Sequence, residues 1–61
     1  MKVKHIVVSY INENENTNKL DVEIDVENPI FLSIRDKDYS GATRNTLIPW
    51  SAVKSVRVTA V

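Results

Sequence analysis

Residues 20–27 read Leu-Asp-Val-Glu-Ile-Asp-Val-Glu, apolar and acidic in unbroken alternation. A period of two is the mark of a strand with one buried face. It predicts a strand over 19–27 with Leu20, Val22, Ile24 and Val26 pointing inward and Asp21, Glu23, Asp25 and Glu27 pointing to solvent. The same period recurs in 3–11, rich in β-branched and aromatic residues, in 30–37, more weakly in 43–48, and in 52–61. No segment carries the 3.6-residue period of an amphipathic helix, and no repeat is present. Five short strands in one 61-residue chain predict a single small all-β domain, an antiparallel meander over residues 1–61.

The connecting segments carry turn chemistry. Asn-Glu-Asn-Glu-Asn-Thr-Asn, 12–18, has no apolar anchor and reads as an exposed loop. Asn28-Pro29 reads as a turn, because proline presets φ and cannot donate to a ladder. Gly41, the only glycine, stands in 36–42, where a hairpin loop needs a positive φ. Pro49-Trp50-Ser51-Ala52 interrupts an apolar run and predicts one tight 3₁₀ turn.

The two clearest strands also set their own register. If 19–27 and 31–37 form a hairpin, only like-parity pairing keeps the carboxylates off Ile30, Leu32 and Ile34. Glu27 then faces Phe31, Asp25 faces Ser33, Glu23 faces Arg35 and Asp21 faces Lys37, with Val26 on Leu32 and Ile24 on Ile34. That requires an odd number of turn residues, or a bulge; Asn28, Pro29 and Ile30 fit. Asp25 and Glu27 have no basic residue opposite them in this scheme, whereas Asp21 and Glu23 do.

The closing segment Thr-Leu-Ile-Pro-Trp-Ser-Ala-Val-Lys-Ser-Val-Arg-Val, 46–58, resembles the end of SH3-like small barrels, including the Sm-like family. There a fourth strand, a short 3₁₀ turn and a fifth strand close the barrel. The resemblance implies a closed SH3-like barrel with Trp50 plugging one end, and it implies a nucleic-acid-binding alternative. The chain opens on a strand where Sm-like proteins open on a helix. Its loops after the second and fourth strands, Glu-Asn-Pro-Ile and Pro-Trp-Ser-Ala, do not carry the family's RNA-contacting pattern.

Charge sharpens the picture. The formal net charge is zero, yet residues 11–30 carry six carboxylates against Lys19 alone, a local charge of −5, and the remainder carries +5. This is a dipolar chain rather than the basic footprint usual for nucleic-acid binding. With no cysteine, no disulfide or thiolate-bound metal can reinforce a domain of a size that buries only about 60% of its unfolded surface. A very regular core and self-association are the remaining routes to stability, and apolar, proline-free first and last strands invite the second. No secretory signal and no membrane-length apolar run is present, which points to the cytoplasm.

Catalytic chemistry finds little support. His5 is the lone histidine and has no nucleophile motif beside it. The acidic loop 12–18 lacks the glycine and ligand spacing of a calcium loop, and one glycine cannot build a phosphate cradle. The expectation is a non-enzyme without cofactor or metal: a small protein-binding module, homo-oligomeric, with a partner of basic surface. By analogy of size, such chains are frequent among phage-encoded modulators and inhibitors of host proteins. A structural subunit of a larger assembly is a further reading. The expected contact residues are Asp25 and Glu27, the loop-tip Tyr39, and Trp50. Lys54 and Arg57 fall on opposite faces by parity, unless a bulge intervenes, which weakens a nucleic-acid groove.

Overall fold

The computed structural model describes residues 1–61. Its elements are β1 (Lys2–Tyr10), β2 (Asn16–Asp25), β3 (Phe31–Lys37), β4 (Thr43–Pro49), a 3₁₀ turn (Trp50–Ala52) and β5 (Val53–Ala60). All pairings are antiparallel, and the strand order is β4-β3-β2-β1-β5. The all-β, five-stranded antiparallel meander with one short 3₁₀ turn is as the sequence predicts; in it, β5 returns to lie against β1.

The sheet does not close. β4 pairs only with β3, and β5 only with β1. The barrel expectation and the SH3-like and Sm-like resemblance behind it are therefore corrected: this is an open sheet. The physical reason lies where closure would begin. Pro49, the last residue of β4, has no N–H to give a neighbouring strand. Just beyond the 3₁₀ turn, the register of β5 shifts between Val53 and Ser55, leaving Lys54 as the extra residue of a bulge that carries the strand onto β1.

The sheet is nevertheless sharply curled. Four strand spacings separate β4 from β5 in a flat sheet, about 19 Å. From Pro49 to Val53 the chain can reach at most about 14 Å, so a three-residue link between opposite edges demands that the sheet roll up. The 3₁₀ turn is tied on both sides. Ile11 N–H donates to the Ala52 carbonyl (3.0 Å), and Trp50 N–H donates to the Ile30 carbonyl (3.0 Å).

The curl is built into β1 and β2 as a break of phase. Asp21 has φ +53°, a left-handed conformation that Asp tolerates better than most residues. The facing pair Lys4–Asp21 is absent from a ladder that otherwise runs from Lys2↔Glu23 to Ser9↔Asn16. On β1, the extra residue Lys4 shifts the register against β5 between Val3 and His5. The inward positions consequently change parity, from Val3 to Ile6 and Val8 on β1, and from Lys19 to Val22 on β2. The core is Val3, Ile6, Val8, Val22, Ile24, Leu32, Ile34 and Ile48, with Tyr10, Trp50, Val53 and Val56 half-buried against it.

Two members of the alternating segment therefore escape the core. Leu20, below the break, is 67% exposed, and Val26, past the strand end, is 43% exposed. Of the expected register, Glu23↔Arg35, Ile24↔Ile34 and Asp25↔Ser33 are present. The pairs Asp21–Lys37, Glu27–Phe31 and Val26–Leu32 are not: the bend lifts Asp21 away from β3, and β2 ends at Asp25. The loop 26–30 has five residues, an odd number as parity requires. Asn28 Oδ1 organises it by accepting from Ile30 N–H (2.8 Å) and Phe31 N–H (3.1 Å). β2 begins at Asn16, inside the stretch expected as loop, because Thr17 and Asn16 pair with Val8 and Ser9.

Truncation separates the broken phase from an unbroken one. Ile24→Ala should lose about 2–5 kcal/mol, whereas Leu20→Ala should stay within about 0.5 kcal/mol of the parent. Urea unfolding monitored by circular dichroism measures both; equal losses would show that Leu20 shares the core with Ile24.

Candidate functional site

Three of the four expected contact residues lie around one loop. Asp25 is the last residue of β2, and its Oδ1 accepts the N–H of Glu27 (2.9 Å), a local turn that holds both carboxylates at the surface. With Val26, Ser33 and Arg35 they line an open depression of about 420 Å³. Neither carboxylate is in an ion pair. Trp50 joins this loop from the 3₁₀ turn: its indole N–H donates to the Asn28 carbonyl (2.7 Å), while its ring packs half-buried against the core. With no barrel to plug, Trp50 instead latches the 3₁₀ turn to the β2–β3 loop.

Tyr39 stands apart, at the other end of β3. Its ring is fully exposed on the β3–β4 loop. The loop beneath it is tightly organised. Asp38 Oδ1 accepts from Ser40 Oγ–H (2.6 Å), Ser40 N–H (2.9 Å) and Ala42 N–H (3.0 Å). Those bonds, the Ser40 hydroxyl first, hold the Asp38 carboxyl below its usual range. Gly41 has the positive φ expected of it, +84°.

Of the rest of the acidic row, Asp21 is exposed and outside any ion pair, and Glu23 is engaged. Glu23 lies opposite Arg35 in the ladder, but its Oε1 takes the Met1 ammonium at 2.6 Å. That hydrogen bond lowers the Glu23 pKa. Arg35 Nε donates instead to Asn45 Oδ1 (3.3 Å). His5 donates from Nε2 to Asn18 Oδ1 (2.6 Å), a link between adjacent strands.

The ion network of Lys19, Asp36 and Arg44 escaped the sequence reading. Asp36 Oδ2 accepts from Arg44 Nη2 (2.7 Å) and Lys19 Nζ (3.1 Å), and its side chain is only 14% exposed. Its other oxygen, Oδ1, is buried without a partner. The signal was present: Asp36 has the parity of Leu32 and Ile34, so strand geometry turns it inward. The network joins β2, β3 and β4 where the β2–β3 ladder has already ended at Glu23↔Arg35. Two cations on one carboxylate form a tie; there is no nucleophile or proton acceptor poised beside it.

Lys2, Arg35 and Lys37 line one open depression of about 400 Å³, where Asp21, Glu23 and Asp36 stand among them. Arg44 and Lys19 are committed to Asp36. Lys54 and Arg57 are exposed on β5, with the bulge at Lys54 breaking simple parity between them. No group of three His, Cys, Asp or Glu side chains converges to hold a metal ion. No helix is long and apolar enough to cross a membrane. Comparison of the chain with protein-family models, curated proteins and solved structures returns no match.

The Asp36 network fixes a pH dependence. Hydrogen bonds from Arg44 and then Lys19 depress the Asp36 pKa, and the same contact raises that of Arg44. A carboxylate with a depressed native pKa contributes its full stability above the unfolded value and loses it as pH falls through the native one. Asp36→Asn should therefore be less stable than the parent at neutral pH. The gap should narrow steadily on acidification below about pH 4. Urea unfolding across an acid series measures it; a gap independent of pH would remove Asp36 from the network.

Proposed function

We propose that the chain is a non-catalytic protein-binding module, acting in the cytoplasm as a homo-oligomer, that presents an acidic tip to a basic protein surface. One observation carries the reading: Asp25 and Glu27 are exposed and unpaired. They flank Val26 and stand near Ile30, both exposed apolar side chains. The tip is held in shape by Asn28 and Trp50, so little order has to be gained on binding. Apolar residues ringed by unpaired charge combine a contact that excludes water with a field that guides approach.

The partner is captured from lysate with and without nuclease treatment and identified by mass spectrometry, then measured directly with the purified partner. Asp25→Lys with Glu27→Lys should slow association by about tenfold at low salt and weaken its salt dependence, while dissociation changes less. Unchanged association at low salt would show that the tip is a solvated surface. Capture that disappears with nuclease would point to nucleic acid instead.

The oligomer is supported by β5. This edge strand has no proline, pairs on one side only, and exposes Val58 by 43%. Lys54 lies at the bulge, so residues 56–60 carry only the charge of Arg57, and a lysine added in that stretch opposes strand addition. Sedimentation at high micromolar concentration should give a dimer or larger for the parent and a monomer for Val58→Lys; a monomeric parent would end the oligomer proposal.

A further inference from the structure

The second free edge, β4, faces a groove of about 480 Å³. Thr46, Leu47, Ile48 and Pro49 all line it. Successive side chains of a strand point to opposite faces, so a groove touched by four in a row runs along the backbone edge. The facing wall comes from the β1–β2 loop and the start of β2, through Glu13, Glu15 and Thr17, with Tyr10 beside them. Tyr10 and Thr17 share a hydroxyl–hydroxyl hydrogen bond that fixes this wall to β1.

Because β4 pairs only with β3, alternate residues of β4 turn their backbone N–H and C=O to a free edge, and at residues 46–48 that edge lines the groove. The strand that would close a barrel is led away to β1. Glu13 and Glu15 line the groove, and no basic side chain does. An unpaired strand edge, an apolar floor at Ile48 and Tyr10 and two carboxylates opposite are complementary to one kind of ligand. We infer that this groove takes an extended, basic peptide segment of a partner protein by strand addition to β4. Apolar side chains at alternate positions pack on Ile48 and Tyr10, and lysine or arginine between them reaches Glu13 and Glu15. The inference is independent of the Asp25–Glu27 tip, which lies on the other loop.

The test uses the full chain and a fluorescein-labelled decapeptide of alternating valine and lysine. Its controls are an alternating valine–glutamate peptide and a valine–lysine peptide N-methylated at alternate amides on both edges. Anisotropy should show saturable binding of the lysine peptide and at least a tenfold loss for each control. Amide shifts in NMR spectra should map to Thr46–Ile48 and to residues 13–17. Glu13→Lys with Glu15→Lys should weaken binding at least tenfold at physiological salt without altering the circular dichroism spectrum, whereas Asp25→Lys with Glu27→Lys should weaken it much less and leave the shifts at residues 46–48 in place. Absence of saturation at millimolar peptide, undiminished binding of the N-methylated peptide, or shifts confined to other strands would overturn the assignment. So would the same shifts on raising protein concentration without peptide, which would make the occupant a second copy of this chain.

Discussion

Three residues, Trp50–Ala52, join strands that lie at opposite edges of the sheet, and most other irregularities of the fold answer to that short tether. β2 shows the consequence most clearly. Ten residues in a straight strand would span about 30 Å, nearly the full 31 Å long axis of the molecule. Yet the loops at both ends of β2 hydrogen-bond to the same 3₁₀ turn, through Ile11 and Ile30. The strand bends, and it bends at Asp21, where a positive φ and the missing Lys4 pair release the ladder for one position. The bulge at Lys54 does the same for β5.

This tether explains which parts of the fold were legible in the sequence. Parity alone placed Ile24 on Ile34 and Glu23 opposite Arg35, because side-chain period is a local property of a strand. The Gly41 turn and the 3₁₀ turn at Trp50 were legible for the same reason: each depends on the conformational freedom of a few neighbouring residues. Leu20 was misassigned because its face depends on the bend at Asp21, and an aspartate among alternating residues carries no visible mark of positive φ. Asp36 was read as part of a polar loop because a lone carboxylate can face inward only with partners, and Lys19 and Arg44 are distant in sequence. Closure of the barrel depends on how two edge strands meet after the curl, which strand count does not encode. At the candidate site, Asp25 and Glu27 were legible as carboxylates without a partner. The hold of Trp50 on Asn28 was not, since it spans 22 residues.

The segregated charge of the chain also acquires a spatial meaning. Of the six carboxylates in residues 11–30, Glu13 and Glu15 stand on one loop and Glu27 on the other, with Asp25 at its edge, and both loops are fastened to the 3₁₀ turn. Lys19, the only cation of that segment, is drawn away to Asp36. The two acidic loops are therefore anchored at the same short turn, and their charges act on an approaching ion together only where salt leaves the field unscreened. A cationic approach is then guided toward these loops whichever surface it finally occupies.

The place of β1 has a temporal consequence. It lies between β2 and β5, so β1 is completed only once β5 has been made, with Val3 opposite Ala60. β1 with β2, and β3 with β4, are hairpins of short loop that can form as soon as they leave the ribosome. The outer flank of β1 must wait for β5, and closing the loop through β2, β3 and β4 is the entropically slow step. Until β5 is made, β1, with Ile6-Val7-Val8 at its centre, is thus paired on one side only. Its exposure to chaperones and to other nascent copies is set by translation rate rather than by the stability of the finished sheet.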